Sequence, residues 1–261
     1  MSRPLESCLN PSHPSSSDLR RLLELLLLCH KYLATILEAH IISLIMPLTR
    51  VDVLASNLKD GLTVFKIIEI AKIVHQPEIA ANARATVLAE LWSGGSKSPY
   101  DALIFGESIN DKEIIGAAYY QTLLYRWPMW SLDKRLSEQH RRHIKYGMNR
   151  CGEEWQKVFN SWGLLAAKGE VLEHQNHVGC ALHSFWLQSM WVEMAKDKLQ
   201  WFDVVGKLCA AIRFAAQYDC FARGRKAMED ELARIKTNLY ALFVPEEAIA
   251  LRLSELQASL R

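Results

Sequence analysis

Apolar residues recur every three or four positions along most of this chain, a period that is typical of amphipathic helices. The longest such segment is 18–46, which follows a serine suited to an N-cap and ends at a proline. Its interior is apolar on almost every side, but Glu24, Lys31 and Glu38 recur every seventh residue and share one narrow stripe. We predict one long helix surrounded by other helices.

The same period continues through the rest of the chain. Helical spacing is found at 62–75, 77–92, 111–125, 131–148, 153–167, 170–200, 202–243 and 246–260. We expect one internal break in each of the two longest of these later segments. The short apolar run 102–109 suits a strand as well as a helical turn. A helical share of about two-thirds, against about one-third in an average domain, predicts an all-α fold. We expect a multi-helix bundle, with an arrangement in two helical layers left open.

Composition divides the chain into four parts. Residues 1–17 are polar, contain prolines and lack an apolar period, so we expect a disordered N-terminal tail. The stretch 94–100 is rich in glycine and serine and is the expected linker. It separates an N-terminal helical layer, 18–93, from a C-terminal helical domain, 101–261.

Charge and cysteine usage are those of an ordinary globular protein. The 261 residues carry 31 basic and 29 acidic side chains, a net charge of +2. This balance gives no polyelectrolyte character that points to nucleic acid or membrane. The six cysteines are scattered, which favours reduced thiols. The sequence does not begin with the basic stretch and apolar core of a secretory signal, so we expect a cytoplasmic location.

The apolar segment 18–46 leaves membrane association open beside the buried bundle helix. Ionisable side chains inside it, such as Lys31 and Glu38, each cost about 2.5 to 3.5 kcal/mol at the centre of a bilayer. A membrane span is therefore disfavoured, whereas contact with a membrane surface is not.

Apolar side chains of this segment are the first candidates for binding a partner protein. Two tryptophans that flank Pro128 are further candidates, because exposed aromatic residues at a proline kink suit an anchor. Aromatic side chains at helical spacing more often fill a core, which is the alternative. The predicted partner-binding residues are Leu25, Leu28, Leu33, Ile36, Leu37, Trp127 and Trp130.

Basic residues are concentrated between Asp133 and Arg150, where six bases stand against two acids. Such a patch could bind an acidic protein, anionic lipid or nucleic acid, or it could be a solvated helix face balanced by acids elsewhere. Its basic residues are Lys134, Arg135, Arg141, Arg142, Lys145 and Arg150.

Metal-ligating residue types recur at three-residue steps in 174–183. The weak candidates for ligands are His174, His177, Cys180 and His183. Three-residue steps turn by about −60° on a helix, so the four side chains fan over half of its circumference and only a neighbouring pair could share one ion. We therefore assign no metal and no cofactor.

Catalytic motifs are missing from the sequence. It contains no Walker phosphate loop, nucleophile elbow, zinc-protease pair or dinucleotide fingerprint. We therefore predict a non-catalytic helical interaction protein: an adaptor, scaffold or assembly subunit that binds an unidentified protein. The alternatives are a membrane-peripheral protein anchored by its first helix and the basic patch, a helical metalloprotein, or a nucleic-acid binder. Enzymatic activity is not excluded.

Overall fold

The computed structural model confirms the all-α fold. It describes residues 16–51, 53–54, 61–93, 98–125, 129–167, 189, 193 and 201–245, and within these ranges there are helices and turns but no strand. The described residues fall into two compact units, which meet in sequence between Ile109 and Asn110. The first 15 residues of the predicted tail, positions 94–97 of the predicted linker and the predicted helix 246–260 lie outside the described residues.

Five α-helices are described in the first unit. They are α1 (Ser16–Lys31), α2 (Thr35–Ile45), α3 (Gly61–Ile73), α4 (Pro77–Ser93) and α5 (Pro99–Ile109), with a 3-10 turn at Met46–Thr49. Helix α1 packs on α2 and α3, and α3 packs on α4. Phe65 of α3 and Phe105 of α5 stack with ring centroids 4.2 Å apart. The run 102–109, which suited either a strand or a helix, therefore forms the larger part of a helix that packs within this unit.

The described part of the second unit contains four α-helices. They are α6 (Lys112–Tyr125), α7 (Glu138–Ala167), α8 (Val204–Ala215) and α9 (Ala222–Phe243), with 3-10 turns at Met129–Leu132 and Asp219–Phe221. Helix α9 contacts each of the other three. The backbones of α6 and α9 come close at Gly116, where an added Cβ would lie 2.5 Å from the backbone nitrogen of Tyr240. The expected break within 202–243 is confirmed, because α8 and α9 are separate helices.

The prediction of one continuous helix over 18–46 is wrong. Helix α1 ends at Lys31, and Leu33 has a φ of 55°, in the left-handed region. The Ala34 N–H donates to the Cys29 carbonyl at 2.9 Å and the Leu33 N–H to the His30 carbonyl at 3.2 Å. These are the two hydrogen bonds of a Schellman motif, which normally places glycine where Leu33 stands. A leucine in this conformation costs about 1–2 kcal/mol.

The second unit holds one helix where the sequence suggested two. The expected helices 131–148 and 153–167 are replaced by α7, which begins at Glu138 and runs through Gly152 without a break. Its start is a capping box in which the His140 N–H donates to Ser137 Oγ and the Ser137 N–H donates to His140 Nδ1. An added Cβ at Gly152 would lie 1.7 Å from the Trp201 ring, so this glycine makes room for packing and does not end the helix.

Candidate interaction surface

The turn between α1 and α2 exposes five apolar side chains. Ile36 is 88% exposed, Leu33 82%, Tyr32 71%, Leu28 50% and Leu37 42%. We call these five residues the apolar corner. Single exposed leucines are ordinary on protein surfaces, whereas five exposed apolar side chains around one turn form a candidate binding surface.

The other side of α1 explains why these residues face outwards. Leu19, Leu22, Leu23 and Leu26 are almost fully buried and hold α1 in the core of the first unit. Helix α2 folds back on α1 after Leu33, and one side of α2 is buried as well. The apolar side chains of α1 and α2 therefore point into the core on one side, whereas those of the apolar corner point into solvent on the other.

Polar groups border the apolar corner. His30 Nδ1 and Glu38 Oε1 are 3.1 Å apart, which connects the end of α1 to the beginning of α2. The ring of His30 also meets the edge of His75, which follows α3, at a centroid distance of 6.1 Å. The Lys31 ammonium lies 5.5 Å from the centre of the Tyr32 ring. Because Glu38 belongs to α2, the expected stripe of Glu24, Lys31 and Glu38 on one helix does not form.

The predicted partner-binding residues are divided by the structure. Four of them, Leu28, Leu33, Ile36 and Leu37, belong to the apolar corner, but Leu25 is half-buried. Tyr32 was not among the predicted residues. Tyr32 follows the basic last turn of α1, so the apolar pattern did not identify it. It is exposed because the chain turns at Leu33.

The tryptophan pair does not form an exposed anchor. Trp130 is buried, and Trp127 lies outside the described residues. The neighbouring Tyr125, Met129 and Leu132 are exposed instead. Met129 and Leu132 are three residues apart on a 3-10 turn and so share one side of it, while Trp130 points to the core.

The predicted basic patch is largely paired with local carboxylates. Four residues illustrate this: Arg135 Nη2 lies 2.8 Å from Asp133 Oδ2, and Arg142 Nη2 lies 2.5 Å from Glu138 Oε1. Arg150 likewise pairs with the Glu153 carboxylate at 2.8 Å. Arg141 instead donates to the Asp133 carbonyl at 3.2 Å, and Lys134 and Lys145 are exposed.

No metal site emerges from the described part of the chain. Within it, no group of three or more histidine, cysteine, aspartate or glutamate side chains is placed to hold an ion. The sequence candidates His174, His177, Cys180 and His183 lie outside the described residues, as does most of the segment between α7 and α8.

A buried polar cluster in the second unit joins α6 to the start of α8. The Tyr120 hydroxyl donates to Asp203 Oδ1 at 2.5 Å and accepts from the Val205 N–H at 3.0 Å. Burial first, and then the Asp203 carboxylate, raise the pKa of Tyr120 well above its usual range. Asp203 is also the N-cap of α8 and accepts from the Gly206 N–H at 2.8 Å.

Cys151 of α7 lies near this cluster but is a poor nucleophile. Burial, followed by the charges of Glu154 and Asp203, raises the pKa of its thiol to about 12. The thiolate is the reactive form of cysteine, and a pKa this high leaves almost none of it near neutral pH. The cluster is therefore arranged to hold helices together.

The comparisons with known proteins add no family to these observations. No family model matches the chain, and neither a curated protein nor a solved structure resembles it significantly. In the described residues, no helix combines the length and the apolar character that a membrane span requires.

Proposed function

We propose that this protein is a helical interaction module that binds a partner protein through the apolar corner. The observation that carries the proposal is the exposure of Tyr32, Leu33 and Ile36 together at one turn. Burying a leucine or isoleucine side chain contributes about 1.5–3 kcal/mol. Leu33 and Ile36, together with the aromatic ring of Tyr32, therefore provide a strong driving force for association.

The surroundings of the corner resemble the layout of a protein interface. Interfaces have an apolar centre and a polar rim, and a few large side chains supply most of the binding energy. Here Lys31 and the His30–Glu38 pair border the apolar residues. The rim carries both signs of charge, which favours a protein partner over a purely anionic one.

Photocrosslinking tests the proposal. A photoreactive amino acid in place of Tyr32 should give a saturable crosslink to a partner in a cell lysate, and Ile36→Asp should abolish it. The matched control is Tyr146 on α7, which is exposed but lies outside the corner. The proposal fails if Tyr32 gives no crosslink, or if Ile36→Asp leaves the crosslink unchanged.

A comparison of Ile36→Asp with Ile41→Asp separates binding from folding. Ile36→Asp should keep the helical circular dichroism and the unfolding free energy within about 0.5 kcal/mol, because Ile36 is exposed. Ile41→Asp on the same helix should unfold the unit, because Ile41 is buried. Loss of structure in Ile36→Asp would mean that the corner belongs to the core.

A lipid surface is the second candidate partner. The Lys31–Tyr32 pair favours it, because tyrosine and lysine are common at membrane interfaces, where the ring and the ammonium occupy the headgroup region. Flotation of the protein with vesicles of zwitterionic lipid, with and without anionic lipid, tests it. Binding that Ile36→Asp removes would support this second function, and absence of flotation would exclude it.

A further inference from the structure

The buried stripe of α1 continues in phase into the apolar corner. Leu19 and Leu26 are buried and seven residues apart, and Leu33 follows at the same spacing. On one uninterrupted helix, Leu33 and Leu37 would therefore lie on the same face as Leu19, Leu23 and Leu26. The turn at Leu33 directs that second half of the stripe into solvent.

Nothing in the local sequence requires this turn. Residues 18–46 contain no glycine and no proline, and leucine, isoleucine and alanine dominate around the break. The bend is held by contacts made after folding: the His30–Glu38 pair and the burial of Ile41 and Ile45. The backbone strain at Leu33, whose φ is 55°, opposes these contacts.

We propose that two copies of this chain exchange α1, with α1 and α2 of each copy joined into one straight helix. The proposal rests on the function proposed above and names its partner as a second copy. Short hinges under strain favour such exchange. Straightening returns Leu33 to helical geometry, and each α1 then packs on the α2 and α3 of the other copy.

The exchange also covers part of the apolar corner. In a pair related by a two-fold axis, the two hinges lie beside each other at the axis, so Leu33 and Leu37, the two corner residues that continue the buried stripe, face their counterparts in the other copy. The contacts of His30 with Glu38 and His75 form again, now between two copies. The exchanged form therefore keeps the interactions of the bent form and adds burial at the hinge.

The exchanged helices bury a large surface between the two copies, and because the bent form buries the same surface within one copy, the balance between the two forms is decided at the hinge. Five side chains of α1 are buried, and each removes on the order of 100 Å² of apolar surface from water. Two helices and the two surfaces that receive them amount to on the order of 2,000 Å², at the upper end of standard protein interfaces. These side chains are Leu19, Leu22, Leu23, Leu26 and Cys29.

Two substitutions of Leu33 test the straightening by analytical ultracentrifugation. Leu33→Gly favours the bent form, because glycine adopts the left-handed conformation freely, whereas Leu33→Ala favours the straight helix. An effect of about tenfold per hinge makes the dimerisation constant of Leu33→Gly about a hundredfold weaker than that of Leu33→Ala. A dimer formed by surface contact alone would respond equally to both substitutions.

A crosslinking experiment tests the exchange itself. His30 of α1 and His75 after α3 are neighbours, so a His30→Cys/His75→Cys double variant treated with a short thiol crosslinker should link α1 to its receiving site. In the isolated dimer fraction the link should join two chains, giving a covalent dimer on a denaturing gel. The two single variants and the unsubstituted protein, which retain the native cysteines, are the controls.

The outcomes separate this proposal from the function on which it rests. A protein that stays monomeric at its highest soluble concentration, in both the unsubstituted form and Leu33→Ala, overturns the exchange. Crosslinks within single chains of the dimer fraction overturn it as well. If the photoreactive Tyr32 variant still captures another protein, the proposed function stands without the exchange.

Discussion

Tyr120 joins two helices through one hydroxyl group. We expect Tyr120→Phe to lower the unfolding free energy by about 1–3 kcal/mol, because the buried Val205 N–H and the half-buried Asp203 carboxylate each lose a hydrogen-bond partner. Urea unfolding measures the change. Tyr32→Phe removes a hydroxyl from an exposed tyrosine and should shift stability by less than about 0.5 kcal/mol. Equal losses in the two variants would contradict the role of the buried hydroxyl.

Glu154 makes the stability of the second unit depend on pH. Burial acts to raise the pKa of this carboxyl, but hydrogen bonds from Lys157 and Arg234 outweigh it and hold the pKa below its ordinary value of 4.5. A pKa lowered by folding stabilises the protein above the unfolded value, and this contribution is lost as the pH falls through the folded value.

Glu154→Gln should remove this acid-sensitive contribution. The unsubstituted protein should be the more stable of the two near neutral pH, and the difference should shrink as the pH falls below about 4.5. Thermal unfolding across that range measures it. Glu153→Gln is the control, since Glu153 pairs with Arg150 at the surface. A difference between Glu154→Gln and the unsubstituted protein that stays constant with pH would contradict the assignment.

At the scale of helices, Gly116 sets the distance between α6 and α9. We expect Gly116→Ala to destabilise the protein by about 1–3 kcal/mol, because the added Cβ would lie 2.5 Å from backbone that cannot rotate away. This loss should exceed the gain in helix propensity of about 1 kcal/mol that alanine brings. Chemical unfolding of Gly116→Ala measures the balance. Ala233→Gly, at an exposed site on α9, measures the propensity term alone. A stabilised Gly116→Ala would show that the helices can separate.

The sequence predicts helices well where their ends carry local signals. Asp111 caps α6 by accepting from the Glu113 and Ile114 N–H groups, and α4 begins at Pro77, as expected. The turn at Leu33 has no such signal, since leucine occupies a position that normally needs glycine. Tertiary packing fixes the turn at Leu33, through contacts between residues that are distant in sequence. The same holds for Gly152, which resembles a helix end and instead accommodates a tryptophan ring.

The candidate surface was predictable only in part, for a related reason. An apolar pattern identifies side chains that avoid water but not the surface that will cover them. Leu26 and Leu33 occupy equivalent positions of one stripe, yet the first is buried and the second exposed. Trp130 is buried, as the core alternative expected, because a 3-10 turn directs it inward while Met129 points outward. Exposure at these positions depends on the turns, and the turns depend on tertiary contacts.

At the scale of the whole molecule, the two units differ in what they offer a partner. The first unit presents the apolar corner next to a strained hinge. The second unit contains the buried Tyr120–Asp203 cluster and the basic segment that begins at Lys134. Among the described residues of the second unit, three of the four arginines in the basic segment pair with nearby carboxylates. This difference supports the proposal that the first unit binds the partner.

The basic segment allows a test of the nucleic-acid alternative. The logarithm of the association constant for duplex DNA should fall linearly with the logarithm of the salt concentration, with a slope of about −0.9 for each phosphate neutralised. Six bases would therefore give a slope of about −5, and the two exposed lysines a slope of about −2. We expect the shallow slope, measured by fluorescence anisotropy over a salt series, because the arginines have local partners. Asp133→Asn releases Arg135 and should steepen the slope by about one unit. A slope near −5 in the unsubstituted protein would mean that the arginines exchange their carboxylate partners for phosphates. Nucleic-acid binding would then replace protein binding through the apolar corner as the leading proposed function.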